Sequence, residues 1–107
     1  MMLRTPRVII YKQVNAFKNA KGKVETRYVG EIDTRNGAPR KFYGADPELL
    51  GKLLKSNLSS MNITTYNLSS DPKDRNGRLR ESIHPGAEVK RLDRNEAGKV
   101  FAALKSD

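Results

Sequence analysis

A run of leucines spaced three and four residues apart constrains the middle of this chain to one helix. The apolar positions of the run are Leu49, Leu50, Leu53, Leu54, Leu58 and Met61. Such spacing gathers apolar side chains into a single stripe on an α-helix. Asp46 and Pro47, just before the run, are typical of an N-cap and a first helical position. We predict a helix over residues 45–61 that covers a sheet, with Gly51 allowing close contact with that sheet.

The residues before this helix follow the pattern of strands. Residues 7–14 (RVIIYKQV), 24–32 (VETRYVGEI) and 40–44 (RKFYG) are rich in β-branched and aromatic side chains, which suit a pleated, half-buried surface. Asn and Gly residues between them are typical of turns. Because the connections are short, we predict a three-stranded antiparallel meander covered by the Leu-rich helix.

Alternation within the second strand separates its side chains into two groups. One group consists of Val24, Thr26, Tyr28 and Ile32, and the other includes Glu25, Arg27, Val29 and Glu31. Successive strand residues point to opposite faces of a sheet. If Tyr28 and Ile32 face the helix, Arg27 points away from it. By the same rule, either Phe42 or Tyr43 must leave the core side.

The remaining sequence predicts two short strands around a long loop. Residues 62–68 (NITTYNL) are uncharged and rich in β-branched side chains, which favours a fourth strand. Residues 71–86 contain Pro, Asp, Asn and Gly in a weak pattern, as long surface loops do. Residues 87–92 (AEVKRL) form the candidate fifth strand.

A second helix is predicted over residues 93–105. Asp93 followed three positions later by Glu96 is the pattern of a capping box. The whole sequence therefore predicts an α+β fold in a single small basic domain, residues 1–107. It contains the meander, the Leu-rich helix, one or two further strands and a C-terminal helix.

Composition removes several classes of function. The chain of 107 residues has no cysteine and one histidine, which excludes disulfides, thiolate catalysis, Cys-based zinc sites and iron–sulfur clusters. We predict no metal or other cofactor. No apolar run approaches ~18 residues, and the N-terminal apolar run is too short for a signal peptide. We expect a cytoplasmic protein without a membrane partner.

Nothing in the sequence has the spacing of a catalytic site. His84 stands in a Pro-Gly turn without a nucleophile near it in sequence. Glu25, Glu31 and Asp33 lack a spacing that favours Mg²⁺ over ordinary surface placement. We therefore predict a protein that is not an enzyme.

Positive charge is the strongest functional signal. Lys and Arg total 21 against 12 Asp and Glu, a formal net charge of +9, and residues 1–44 hold ten basic and three acidic side chains. Arg35-Asn36-Gly37 recurs as Arg75-Asn76-Gly77, each with further arginines nearby. Such an excess of charge favours polyanions as ligands. The candidate nucleic-acid-binding residues are Lys12, Lys18, Lys21, Lys23, Arg27, Arg35, Arg40, Lys41, Tyr43, Arg75, Arg78 and Arg80.

The resulting hypothesis is a nucleic-acid-binding module that uses basic hairpin turns and the sheet, with double-stranded DNA favoured over RNA. Lysine and arginine would contact phosphates, while Arg27 and an outward-facing aromatic ring would contact bases. Two alternatives remain open. One is an RNA-binding protein, ribosome-associated or specific for structured RNA. The other is a small adaptor of phage or plasmid type with a protein partner or a homodimer.

Overall fold

The computed structural model describes residues 5–18, 21–22, 24–34, 36–73 and 87–106. For residues 15–18 and Val24 it describes the backbone alone. Within these described ranges the fold is α+β, with five strands in one mixed sheet and two helices. The predicted fold class is therefore confirmed.

The first three strands form the predicted antiparallel meander. They are β1 (Arg7–Lys18), β2 (Val24–Asp33) and β3 (Arg40–Gly44). Across them, Tyr11 lies opposite Val29, and Val29 lies opposite Tyr43. The β1–β2 register shifts between Gln13 and Phe17, which marks a bulge.

Two short strands flank the other side of β1. Strand β4 (Asn67–Ser69) runs parallel to residues 7–9, and β5 (Glu88–Lys90) runs antiparallel to residues 12–14. Along the sheet the order is β3-β2-β1-β4, with β5 also beside β1. Strand β3 therefore stands at one edge of the described sheet.

Strand β4 begins later than the predicted 62–68, because the first of those residues complete the preceding helix. Asn62 has a φ of 57°, and the Ile63 N–H donates to the Leu58 carbonyl at 2.9 Å. Such bonds satisfy carbonyls left open at a helix C-terminus. The chain enters the sheet only where the Asn67 N–H donates to the Pro6 carbonyl at 2.9 Å.

Both helices begin as the sequence predicts. In α1 (Pro47–Ser60), the Asp46 carboxylate accepts from the Leu49 N–H at 2.9 Å. In α2 (Arg94–Lys105), Asp93 and Glu96 form the predicted capping box. No helix among the described residues is long and apolar enough to span a membrane.

The main core lies between one face of the sheet and the two helices. Its buried members are Val8, Ile10, Ile32, Leu50, Leu54, Leu58, Leu92, Ala97, Val100 and Leu104. The prediction that Leu49 and Leu53 belong to the buried stripe is wrong, since they are 50% and 37% exposed. The buried face of α1 is rotated from the leucine pattern toward Pro47 and Gly51, because Gly51 packs against α2.

Gly51 contacts the second helix and not the sheet, contrary to the sequence-based prediction. A Cβ at this position would lie 2.5 Å from the Ala103 Cβ and 2.8 Å from the Val100 carbonyl oxygen. The close approaches of α1 to the sheet occur instead at Gly30 and Gly44. A Cβ at Gly30 would lie 2.7 Å from the Leu54 methyl carbons, and one at Gly44 would lie 2.9 Å from the Leu50 backbone nitrogen. Glycines thus set the position of α1 against α2 and against the sheet.

Candidate nucleic-acid interface

The register divides the sheet into a helix-covered face and a face that we call the far face. The far face is defined by Arg7, Ile9, Tyr11, Gln13, Arg27, Val29, Glu31, Asp33, Lys41 and Tyr43. Tyr28 and Phe42 pack against the main core, whereas Tyr43 packs with Ile9, Tyr11 and Val29. The predicted division of β2 is confirmed for Arg27 and Tyr28, and Tyr43 is the ring that leaves the core side.

Lys12 lies on the helix-covered face, where its charge is already engaged. The Lys12 Nζ donates to the Glu96 Oε1 at 2.8 Å, and its side chain is 20% exposed. Tyr28, opposite Lys12 in the sheet, donates from its hydroxyl to the Glu96 Oε2 at 2.6 Å. The structure therefore separates Lys12 from the candidate residues on the far face.

Glu96 is held as a carboxylate by this arrangement. Burial alone would raise its pKa, but hydrogen bonds from Lys12, Tyr28 and the Asp93 backbone N–H outweigh burial and lower the pKa to about 2. Burial and the neighbouring Glu96 carboxylate raise the pKa of Tyr28 to about 12. Through these bonds Glu96 joins α2 to β1 at Lys12 and to β2 at Tyr28.

The centre of the far face is buried. Tyr11 and Val29 are 0% exposed and Glu31 is 1% exposed, and the Tyr11 hydroxyl donates to the Glu31 Oε2 at 2.5 Å. A ligand as large as a duplex cannot reach side chains that are closed to water. Contact through the sheet is therefore confined to the rim of this face.

This centre is surrounded by further polar groups. Sequence reasoning did not single out these groups as a set. Arg7 pairs with Asp33 at 3.7 Å. Gln13 is fully buried, and among the described residues neither its amide nitrogen nor its amide oxygen has a hydrogen-bond partner. The signal available in the sequence was the presence of polar residues among the odd positions of β1 and β2, since alternation places all of these positions on one face.

Two candidate residues, Arg27 and Tyr43, come together at the rim, beside the β3 edge, and a third, Lys41, lies on the same face of β3. The Arg27 guanidinium carbon lies 4.9 Å from the centre of the Tyr43 ring, within cation–π range. Lys41 precedes Tyr43 by two residues, so both point to the far face. Lys41 is exposed, while Arg27 and Tyr43 are half-buried. We call Arg27, Lys41 and Tyr43 the basic corner.

The other described candidates lie apart from the basic corner. Arg40 is exposed but pairs with Ile32, which places it on the helix-covered face. Lys21 is exposed in the β1–β2 turn. The two meander turns lie at opposite ends of β2, whose 10 residues separate them by about 30 Å at ~3.3 Å per residue. The turns therefore flank the corner and do not form one compact site with it.

Several predicted site residues lie outside the described residues. These are Lys23, Arg35, Arg75, Arg78 and Arg80, together with the side chain of Lys18. Of the predicted long loop over 71–86, residues 71–73 are described. Predictions for the second Arg-Asn-Gly copy therefore stay predictions.

A groove of mixed charge, not predicted from the sequence, lies on the outer side of the helices. This groove of about 470 Å³ between α1 and α2 is lined in part by Lys52 and Lys99. Two acidic residues, Asp46 and Glu48, also line it, and Lys52 Nζ lies 3.2 Å from Glu48 Oε1. This mixture of charges makes the groove a weaker match for a polyanion than the basic corner.

No group of three or more His, Cys, Asp or Glu side chains is placed to hold a metal ion in the part of the chain that the structure describes. Comparison with protein-family models, curated proteins and solved structures finds no match for this chain. The geometry and charge of the described residues therefore carry the functional argument.

Proposed function

We propose that this protein is a non-enzymatic nucleic-acid-binding module that contacts the phosphate backbone of duplex DNA through the basic corner. The observation that carries the proposal is the stacking of Arg27 on Tyr43, with the exposed Lys41 two residues from Tyr43 on the same face of β3. Stacking on the ring holds the guanidinium at the rim of the far face, so little side-chain freedom is lost on binding.

The corner suits phosphates better than bases. Arg27 covers one side of the Tyr43 ring, and both side chains are half-buried. A ring in this state offers little surface for stacking on an unpaired base, as recognition of single strands requires. Duplex DNA presents phosphates at high density and needs no such stacking. The half-buried ring therefore favours a duplex over a single strand as the ligand.

The overall charge supports the same ligand. A chain of +9 attracts a polyanion over a distance of about a Debye length, ~10 Å at 0.1 M salt. Arg40 and Lys21, both exposed, add charge on either side of the corner. Binding through these groups releases counterions, so the affinity should fall steeply as salt rises. We also propose a cytoplasmic location, where such a ligand is accessible.

Charge reversal of Lys41 tests the proposal. We expect Lys41→Glu to weaken binding of a random-sequence DNA duplex by about tenfold at low salt, because one phosphate contact becomes a repulsion. The plot of log affinity against log salt should become less steep, by about the contribution of one phosphate contact. Fluorescence anisotropy of a labelled duplex measures both quantities.

Lys55→Glu is the matched control for this experiment. Lys55 is a half-buried lysine on α1, away from the far face, and the change in net charge is the same. Equal losses for the two variants would show that net charge alone is responsible and would contradict the corner. If the protein binds double-stranded RNA more tightly than duplex DNA, its ligand is structured RNA and not DNA.

A further inference from the structure

We propose that two copies of this chain form a dimer by pairing their β3 strands antiparallel across a two-fold axis perpendicular to the sheet. Within the described sheet, β3 pairs with β2 alone and leaves its other edge without a strand. An edge strand presents unpaired backbone N–H and C=O groups to an incoming strand.

Two exposed leucines stand beside this edge. Leu50 and Leu54 of α1 face the sheet, and Gly51 faces α2. At about 100° per residue, Leu49 and Leu53 lie on the flank of α1 opposite Gly51. α1 packs on β2 and β3, while α2 reaches β1 through the Lys12–Glu96 bond. The flank of α1 that points away from α2 therefore faces outward, beyond the sheet edge formed by β3.

The sequence of β3 is compatible with itself in this arrangement. Pairing centred on Phe42 places Lys41 of one copy opposite Tyr43 of the second copy. Arg40 then lies opposite Gly44. No like charges stand directly opposite each other, and a lysine meets an aromatic ring, which is a favourable cross-strand pair. A register centred between Arg40 and Lys41 would instead oppose two positive charges.

The spacing of the helices agrees with such a dimer. Neighbouring strands lie about 4.8 Å apart, and α1 packs on both β2 and β3. The α1 helices of two copies paired through β3 would then lie about 10 Å apart, the usual distance for packed helices. Leu49 and Leu53 of each copy, which are 50% and 37% exposed, would fill the space between them.

Dimerisation would also join the two basic corners. The two-fold axis keeps the far faces of both copies on one side, and Lys41 and Tyr43 belong to the pairing strand. The corners would adjoin at the axis as one two-fold symmetric basic patch. This consequence rests on the proposed function, whereas the dimer itself does not.

The test compares Leu49→Lys/Leu53→Lys with Leu68→Lys by sedimentation equilibrium without nucleic acid. Leu68, 37% exposed like Leu53, lies on β4 at the other side of the sheet. We expect wild type and Leu68→Lys to have twice the 12.0 kDa mass of one chain. The double variant should have the mass of a single chain, with an unchanged circular dichroism spectrum. A single-chain mass for wild type up to its solubility limit would overturn the proposal.

An engineered disulfide tests the register independently of the leucines. The chain has no cysteine, so a mixture of Lys41→Cys and Tyr43→Cys can form only introduced bridges. Directly opposite strand residues are within disulfide reach. We expect the mixed bridge on oxidation, and its absence would overturn the register. Salt screens the repulsion between two +9 chains and so should favour the dimer, whereas it weakens duplex binding. The dimer is measured without nucleic acid and duplex binding is measured at low salt, so failure of one can be told from failure of the other.

Discussion

Glu96 is the side chain that connects most elements of this fold. Its carboxylate accepts from Lys12 on β1, from Tyr28 on β2 and from the Asp93 N–H at the start of α2. The side chain is 15% exposed, so these bonds are largely shielded from water. Charge-assisted hydrogen bonds of this kind contribute more than neutral ones.

We predict that Glu96→Gln lowers the free energy of unfolding by about 2 kcal/mol at neutral pH, because it leaves the Lys12 ammonium without its counterion. Denaturant unfolding measures this difference. Glu88→Gln is the control, since Glu88 is exposed and lies 3.6 Å from the exposed Lys90. That change should be close to neutral.

The pH dependence of the same variant is a separate prediction. The pKa of Glu96 is lowered from 4.5 to about 2 in the folded protein, so its contribution is present above pH 4.5. It should be lost as the pH falls from 4.5 through 2. The stability difference between wild type and Glu96→Gln should shrink over that range. A constant difference down to pH 2 would contradict the role given to the carboxylate.

Among the elements, the two helices depend on one glycine for their contact. We predict that Gly51→Ala destabilises the protein by about 2 kcal/mol, because the added methyl group would overlap Ala103 and the Val100 carbonyl. Gly98→Ala on α2 is the matched control, since a Cβ there meets nothing within 4 Å. That change should stabilise by up to about 1 kcal/mol through helix propensity. Thermal unfolding measures the melting temperature of both variants. A shift of the two melting temperatures in the same direction would contradict this role of Gly51.

The elements themselves were largely predictable, because their signals are local. Caps at Asp46 and Asp93, and alternation in 24–32, predict bounds that the structure reproduces closely. The errors occur where a contact with a residue far along the chain determines what a side chain packs against. Gly51 faces a helix that begins more than forty residues later in the chain, and no local pattern distinguishes this from contact with the sheet.

The candidate site was predictable only in part for the same reason. The far-face placement of Arg27 follows from strand alternation, and its stacking on Tyr43 from the β2–β3 register. The engagement of Lys12 depends on Glu96, 84 residues away. The burial of Glu31 likewise could not follow from its own strand, where alternation predicts a solvated side chain.

At the scale of the whole molecule, the fold determines where a charge of +9 can meet a ligand. The helix-covered face contains the core, and the centre of the far face is closed. The rim beside β3 remains, where the basic corner lies between the two meander turns. The central claim is that this rim, and not the outer groove between the helices, contacts nucleic acid.

Amide chemical-shift mapping tests that claim most directly. A labelled sample is titrated with a DNA duplex at low salt, and the shift of each backbone amide is followed. We predict the largest changes at residues 27–29 and 40–44, around the basic corner. Changes confined to Lys52, Lys55 and Lys99 on the outer helices, or no changes at all, would contradict the account.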